Sequence, residues 1–439
     1  MTDGAVRDAW LGQVGKPTEG FFPSFAARSR LPAGARDATR EALKVLVPAV
    51  DWAGYLPHLP AGLLGTWGVW RLRPLLEETS FLRLLAIQLH ALSHEVRRVR
   101  GGLGATARGS GSWANIEAAI AARRPSLAYG EALGIAEPGA EDFRWLLQRG
   151  APDMACMGLK GAAPWFLGDL WERLDRPRAT GRQLLAIAGW LVAAEPADRF
   201  WHQRAAARLR ADPPTIPAGP AAAPDTHLQG AREVCDLGLV ALLDAWSGRM
   251  RTAATAADLL SMLALAAAEK LLDARRDLEG KTSGVVVYLA VLAKGHAPAG
   301  RPEPFAQAAA LVNLFPSDEL EDRLGPKPPR LPAADPGLGL LEAILDAEPA
   351  EAMYLALRVR DGQGPDAVLR VLAEAASRND PAFNHSAQVL AVAAAAALLP
   401  CLTGPVQTAL LVALAKSLAN GQGSGDLGRL ADRALAGAR

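Results

Sequence analysis

An all-α protein made of two tandem, related helical halves, with helical-bundle or solenoid-like packing, is what this sequence predicts. Three observations lead there. Half of the chain is hydrophobic, 50% against only 6% aromatic, and Ala and Leu dominate while β-branched residues are sparse, a balance that favours helix over sheet. Apolar residues recur at helical spacing between clear proline and glycine breakers. The chain also aligns with itself at an offset of 225 residues: Ile116-Glu117-Ala118-Ala119-Ile120 falls on Leu341-Glu342-Ala343-Ile344-Leu345, Tyr129 on Tyr354, Leu147 on Leu372 and Leu174 on Leu399.

The elements follow in chain order. Met1-Thr2-Asp3-Gly4 leads into charged and polar residues with no apolar signal-peptide core, so the expected location is cytoplasmic. Leu82, Leu85, Ile87, Leu89 and Leu92 form the buried stripe of one helix, ahead of a Gly/Ser stretch from Gly101 to Ser112 that cannot be a helix interior. A second proline-rich break, Asp212 to Pro224, joins the halves, and Asp225 or Thr226 is placed to cap the helix after it. The expected organisation is thus a Trp-rich N-terminal half over 1–211, a linker over 212–224 and a C-terminal half over 225–439. Leu259, Leu260, Leu263 and Leu265 mark a helix of the second half, and a third Pro-rich break runs from Gly325 to Pro336. Val389 to Leu399, stopped by Pro400, is too short to span a bilayer and reads as a core helix.

At 439 residues the chain exceeds the size of a single core, consistent with two halves. Its 47 Lys and Arg balance 46 Asp and Glu, so no global field draws nucleic acid or an anionic membrane. The basic run Arg97-Arg98-Val99-Arg100 reads as a solvated helix end. Cys156, Cys235 and Cys401 are distant and odd in number, which argues for a reducing compartment without disulfides. Ten of the 11 tryptophans lie at or before Trp201. Trp67, Trp70, Trp165 and Trp171 either pack a core or line an apolar pocket.

Nucleotide and hydrolase signatures are missing: Gly423 to Gly428 matches GxGxxG only in letters, because no strand precedes it. Histidines remain, seven in all. His58 and His202 carry no pattern. His90 and His94 stand one helical turn apart on one face, in Leu89-His90-Ala91-Leu92-Ser93-His94-Glu95, and inward-facing pairs of this kind build metal sites in helical proteins. A core-edge histidine beside an exposed one is the structural alternative, with Ser93 and Glu95 turned to solvent. His385 and Gln388 follow the turn signal Asp380-Pro381 on one face of the next apolar helix. The register of 225 places His385 on Lys160, a lysine at the start of an apolar helix. His227, in the first turn after the linker, is either a ligand or a plain surface residue. His296 completes the set of candidates for convergence.

The stretch Leu340 to Gln388, with Leu340-Leu341-Glu342-Ala343-Ile344-Leu345, Val371-Leu372-Ala373-Glu374-Ala375-Ala376 and the element from Asp380 through Phe383 to His385, resembles the helical repeat of questin oxidase-like and Rieske-associated helical proteins. That resemblance implies a non-haem metal, iron favoured with manganese or zinc as alternatives, whose nearest ligand counterparts are His385, His94, His227 and Lys160, with His90 beside them. It further implies an oxidoreductase acting on an apolar, aromatic or polyketide-like molecule. Asn384 stands between the phenylalanine and the histidine, a departure from the pattern.

Two functions follow, and enzyme status stays open between them. One is a metal-dependent oxidoreductase with its substrate in an interhelical pocket. The other is a non-catalytic helical-repeat scaffold or small-molecule-binding protein, whose partner is a protein or a small apolar molecule. The first requires the histidines to converge; the second lets them scatter.

Overall fold

The computed structural model describes residues 2–16, 19–50, 61–97, 103, 106–150, 159–194, 214–217, 224–251, 254–273, 281–296, 302–314, 325–329, 335–379, 385–423 and 426–437. For residues 97, 159–161, 224, 281–283, 296 and 385 the description covers backbone only. His58, Cys156, Trp201, His202, the Asp380–Asn384 turn, most of the 212–224 linker and most of the Arg97–Arg100 run therefore lie outside the described residues.

All described regular structure is helical. A first series runs α1 (Asp3–Gln13), α2 (Phe21–Ser29), α3 (Gly34–Leu46), α4 (Ala61–Leu72), α5 (Glu78–Arg97), α6 (Trp113–Ala121), α7 (Pro125–Gly134), α8 (Ala140–Gly150), α9 (Leu159–Arg173) and α10 (Arg178–Ala193). A second runs α11 (Pro224–Asp236), α12 (Leu239–Arg251), α13 (Ala256–Asp273), α14 (Lys281–Val291), α15 (Pro302–Leu314), α16 (Pro336–Leu345), α17 (Pro349–Gln363), α18 (Pro365–Arg378), α19 (His385–Leu398) and α20 (Gly404–Asn420). α21 (Leu427–Gly437) follows. Corresponding helices of the two series start between 218 residues apart (Phe21 and Leu239) and 226 apart (Arg178 and Gly404).

The neighbours correspond as well as the starts. In the first series α1 packs on α3, α3 on α5 and α10, α4 on α9, α7 on α10, and α8 on α9. In the second, α11 packs on α13, α13 on α15 and α20, α14 on α19, α17 on α20, and α18 on α19. Even a helix end recurs. α6 closes with Arg123 at φ 53° and Arg124 N–H donating to Ala119 O at 2.9 Å, and Pro125 opens α7. α16 closes with Ala347 at φ 58° and Glu348 N–H donating to Ala343 O at 2.9 Å, and Pro349 opens α17. This is the six-to-one closure of a Schellman end, here carried by residues other than glycine.

The chain divides into two compact units: Met1–Arg73, Glu77–Asp198 and Asp426–Arg439 in one, Pro74–Leu76 and Arg199–Gly425 in the other. α21, expected from its chain position to belong with the C-terminal half, packs on α2 and α5 of the first unit. Arg83 Nε meets Asp432 at 3.2 Å and Arg30 donates to the Leu435 carbonyl there, while Ala431 is buried. An amphipathic helix goes wherever its apolar stripe finds a partner, so sequence order does not assign it.

Most of the expected apolar stripes are core: Leu85, Ile87, Leu89 and Leu92 are buried on α5, as are Leu259, Leu260 and Leu263 on α13, whereas Leu82 and Leu265, expected in the same stripes, are only half-buried; α19 buries Val389, Val392 and most of its alanines. No described helix is long and apolar enough to cross a membrane.

The Gly/Ser stretch ends as a strap lying on α7. Gly109 N–H donates to Gly130 O at 2.8 Å. Glu131 receives Ser110 Oγ at 2.8 Å, Gly111 N–H at 3.2 Å and Ser112 N–H at 3.3 Å. The approach needs glycine: Gly111 has φ 79°, and a Cβ on Gly134 would lie 2.4 Å from Gly111 N. Burial alone would raise the Glu131 carboxyl, but the hydrogen bonds from Ser110, the Ser112 N–H, Asn115 and the Gly111 N–H outweigh it and hold it below the usual carboxylate range.

Candidate functional site

The two candidate histidines of the first unit, His90 and His94, sit on α5, which crosses α4 at Gly62. A Cβ there would fall 2.3 Å from Leu92 N, so only glycine lets the two helices meet this closely. The imidazole of His90 is buried at the core edge, stacked on Phe22 with ring centroids 4.9 Å apart and planes 23° apart, and set edge-on to Phe21 at 5.2 Å. One turn on, exposed His94 places its ring centroid 4.8 Å from that of His90, at 71°. The pair therefore shares a face as the spacing requires, with one ring at the core edge and one in solvent.

Its neighbours depart from expectation. Ser93 is buried rather than solvent-facing, and its Oγ accepts the Gly15 N–H at 3.4 Å, because the turn after α1 covers that side of α5. Glu95, also expected in solvent, is half-buried and accepts the Gly62 N–H at 3.1 Å. It serves the N-terminal end of α4, where a carboxylate is favoured.

His227 lies in the second unit. Instead of a surface residue it is fully buried, at 0% exposure, with Nε2 2.9 Å from Oδ1 of Asp258, which is itself buried. Asp258 belongs to a capping box: Thr255 N–H donates to its Oδ2 at 2.9 Å, Thr255 Oγ1 donates at 2.7 Å, and Asp258 N–H returns to Thr255 Oγ1 at 3.2 Å. One carboxylate thus starts α13 and fastens α11 to it. The box is visible in the sequence as Thr255-Ala256-Ala257-Asp258; that His227 would meet it is not.

Lys160 and His385 begin α9 and α19 as placed by sequence, but their side chains, and that of His296, lie outside the described residues. Gln388, three residues after His385 on α19, joins Asn379 in closing the C-terminal end of α20. Gln388 Nε2 donates to Gly421 O at 3.0 Å, Asn379 Nδ2 donates to the same oxygen at 2.9 Å, and Gly423 N–H donates to Asn379 Oδ1 at 3.0 Å. The orphan carbonyls of a helix end explain these amides.

The four tryptophans are distributed among separate packing groups. Trp67 packs on Trp165 and Phe166 and donates to Asp169 Oδ2 at 2.8 Å. Trp70 packs on Phe81 and donates to Thr39 at 3.2 Å, while Trp171 packs near Phe143 and donates to Pro177 O at 3.2 Å. Among the buried groups the sequence reading passed over are Glu131 and Lys416, whose Nζ donates to the Leu272 carbonyl near the end of α13. The thiol of Cys235 is pushed up to about 12, by burial first and then by the charge of Glu269.

Among the described residues no three His, Cys, Asp or Glu side chains stand close enough together to hold a metal. No protein-family model, curated protein or solved structure matches the chain.

Proposed function

We propose that this chain is a non-catalytic helical-repeat protein, built by duplication of a ten-helix unit, that presents helix faces to a protein partner or a small apolar molecule. The observation that carries the reading is the recurrence of helix order, helix neighbours and the left-handed closure at Arg123 and Ala347 across the two series. Repeat proteins spend their sequence on stacking one helical layer against the next. The described polar residues fit that economy: His227 and Asp258 tie α11 to α13, and Gln388 and Asn379 close α20.

The competing function is a non-haem oxidoreductase holding iron, manganese or zinc through histidines such as His227 and His385. Metal analysis of untagged protein, from cells supplied with all three metals and beside His227→Asn and His385→Ala variants, separates the two. Substoichiometric iron and manganese that do not change in either variant are expected. Near-stoichiometric iron or manganese that falls in both would overturn the non-catalytic reading.

A further inference from the structure

We propose that Arg71 and Arg173, both held by Asp169 in the first unit, form a binding site for the anionic group of a small molecule whose flat apolar body lies along Trp165. The inference goes beyond the repeat reading above, since stacking helices does not call for two guanidiniums on one carboxylate.

Spacing brings the groups together. Trp67 and Arg71 stand one turn apart on α4, and Trp165, Asp169 and Arg173 follow at four-residue steps along one face of α9, which packs on α4. Asp169 Oδ1 accepts Arg71 Nη1 at 3.2 Å, and its Oδ2 accepts Arg173 Nε at 2.9 Å and Trp67 Nε1 at 2.8 Å. Two positive charges therefore meet one negative charge. Arg71 Nε and Nη2 and both Nη atoms of Arg173 make no hydrogen bond among the described residues, and none of the four is sealed from solvent. The two arginine side chains are 19% and 25% exposed, so their donors are reachable yet partly shielded from water. Planar guanidiniums with donors to spare are the groups that grip a carboxylate or phosphate.

Electrostatics favour a further anion. Burial lowers the Arg71 guanidinium from its ordinary value; the charge of Asp169 opposes that, and the charge of Arg173 adds to it. Trp165 supplies the apolar wall: it is half-buried one turn from Asp169, with its ring 5.3 Å from Trp67 and 5.2 Å from Phe166.

The second unit packs the corresponding helix pair without such a cluster. At the register that brings Leu174 onto Leu399, Asp169 falls on Ala394 and Arg173 on Leu398, and aligning the starts of α4 and α14 puts Arg71 on Val291; all three are buried. α14 packs on α19 all the same. The contacts of Arg71, Asp169 and Arg173 hold whether or not the two series share an origin.

Calorimetric titration of the full-length protein with 2-naphthoate, at neutral pH and low salt, tests the site beside 2-naphthamide, inorganic phosphate and the variants Arg173→Gln and Trp165→Leu, each checked for native helicity. One saturable site for naphthoate is expected, weakened about tenfold or more in Arg173→Gln, the scale of a hydrogen bond to a charged group. A smaller loss is expected in Trp165→Leu, which leaves the ion cluster in place and keeps the test alive if Arg173→Gln does not fold. Absent binding, unchanged affinity in either folded variant, equal binding of naphthamide, or phosphate bound as tightly as naphthoate, the mark of an adventitious ion only, would overturn the proposal.

Discussion

Asp258 shows how much can rest on one carboxylate. Removing it as Asp258→Ala leaves buried His227 facing no acceptor and deprives Thr255 N–H of its cap. Leaving a buried polar group without its partner costs about 1–3 kcal/mol, so the second unit's urea midpoint should fall while the first unit's transition stays in place. Cys235 gives a second residue-scale expectation. With its thiol raised to about 12, it should resist maleimide in the native protein at neutral pH and react once urea unfolds the chain. The same shift has a sign in stability. The unfolded thiol ionises near the ordinary value of 9.0 and the folded one only near 12, so this contribution is intact below 9 and is lost as pH climbs through that window. Little of this was legible beforehand: the Thr255-x-x-Asp258 box is a local pattern, whereas the meeting of His227 with it depends on the packing of two separate helices.

At the level of elements, the strap of residues 106–112 and α7 behave as one piece. Glu131→Ala should cost about 2–3 kcal/mol, the scale of hydrogen bonds to a charged group left unmade, and should raise amide exchange at 109–112 ahead of the rest of the unit. Because Glu131 is held below its usual range, acid reproduces the variant. The contribution is present above the unfolded carboxylate's titration near 4.5 and disappears as pH falls through the lower folded value. Helices themselves were readable from sequence, since composition, breakers and apolar spacing report local preference. The strap was not, because its glycines look like an ordinary linker until Gly134 and Gly111 are seen in contact. Ser93 failed for a related reason: helical spacing identifies a face, but a second layer covering the polar side leaves no mark in that spacing.

For the whole molecule, the all-helical class was legible in composition and breakers, while the allegiance of α21 was not. Deleting residues 426–439 should lower the melting temperature of the first unit, by about 2–4 °C for each kcal/mol lost, and expose α2 and α5 to exchange without changing α11–α20. Shared loss across both units would mean that α21 supports more than its own unit. The placement of α21 also bears on synthesis. A ribosome adding about 5–20 residues per second needs roughly 10–45 s to travel from the end of α10 to α21. Throughout that interval the apolar flank of α2 and α5 is without the helix that covers it, and the entire second series emerges in the meantime. The nascent chain thus has a window in which a chaperone, or a stray apolar segment, can occupy α21's place.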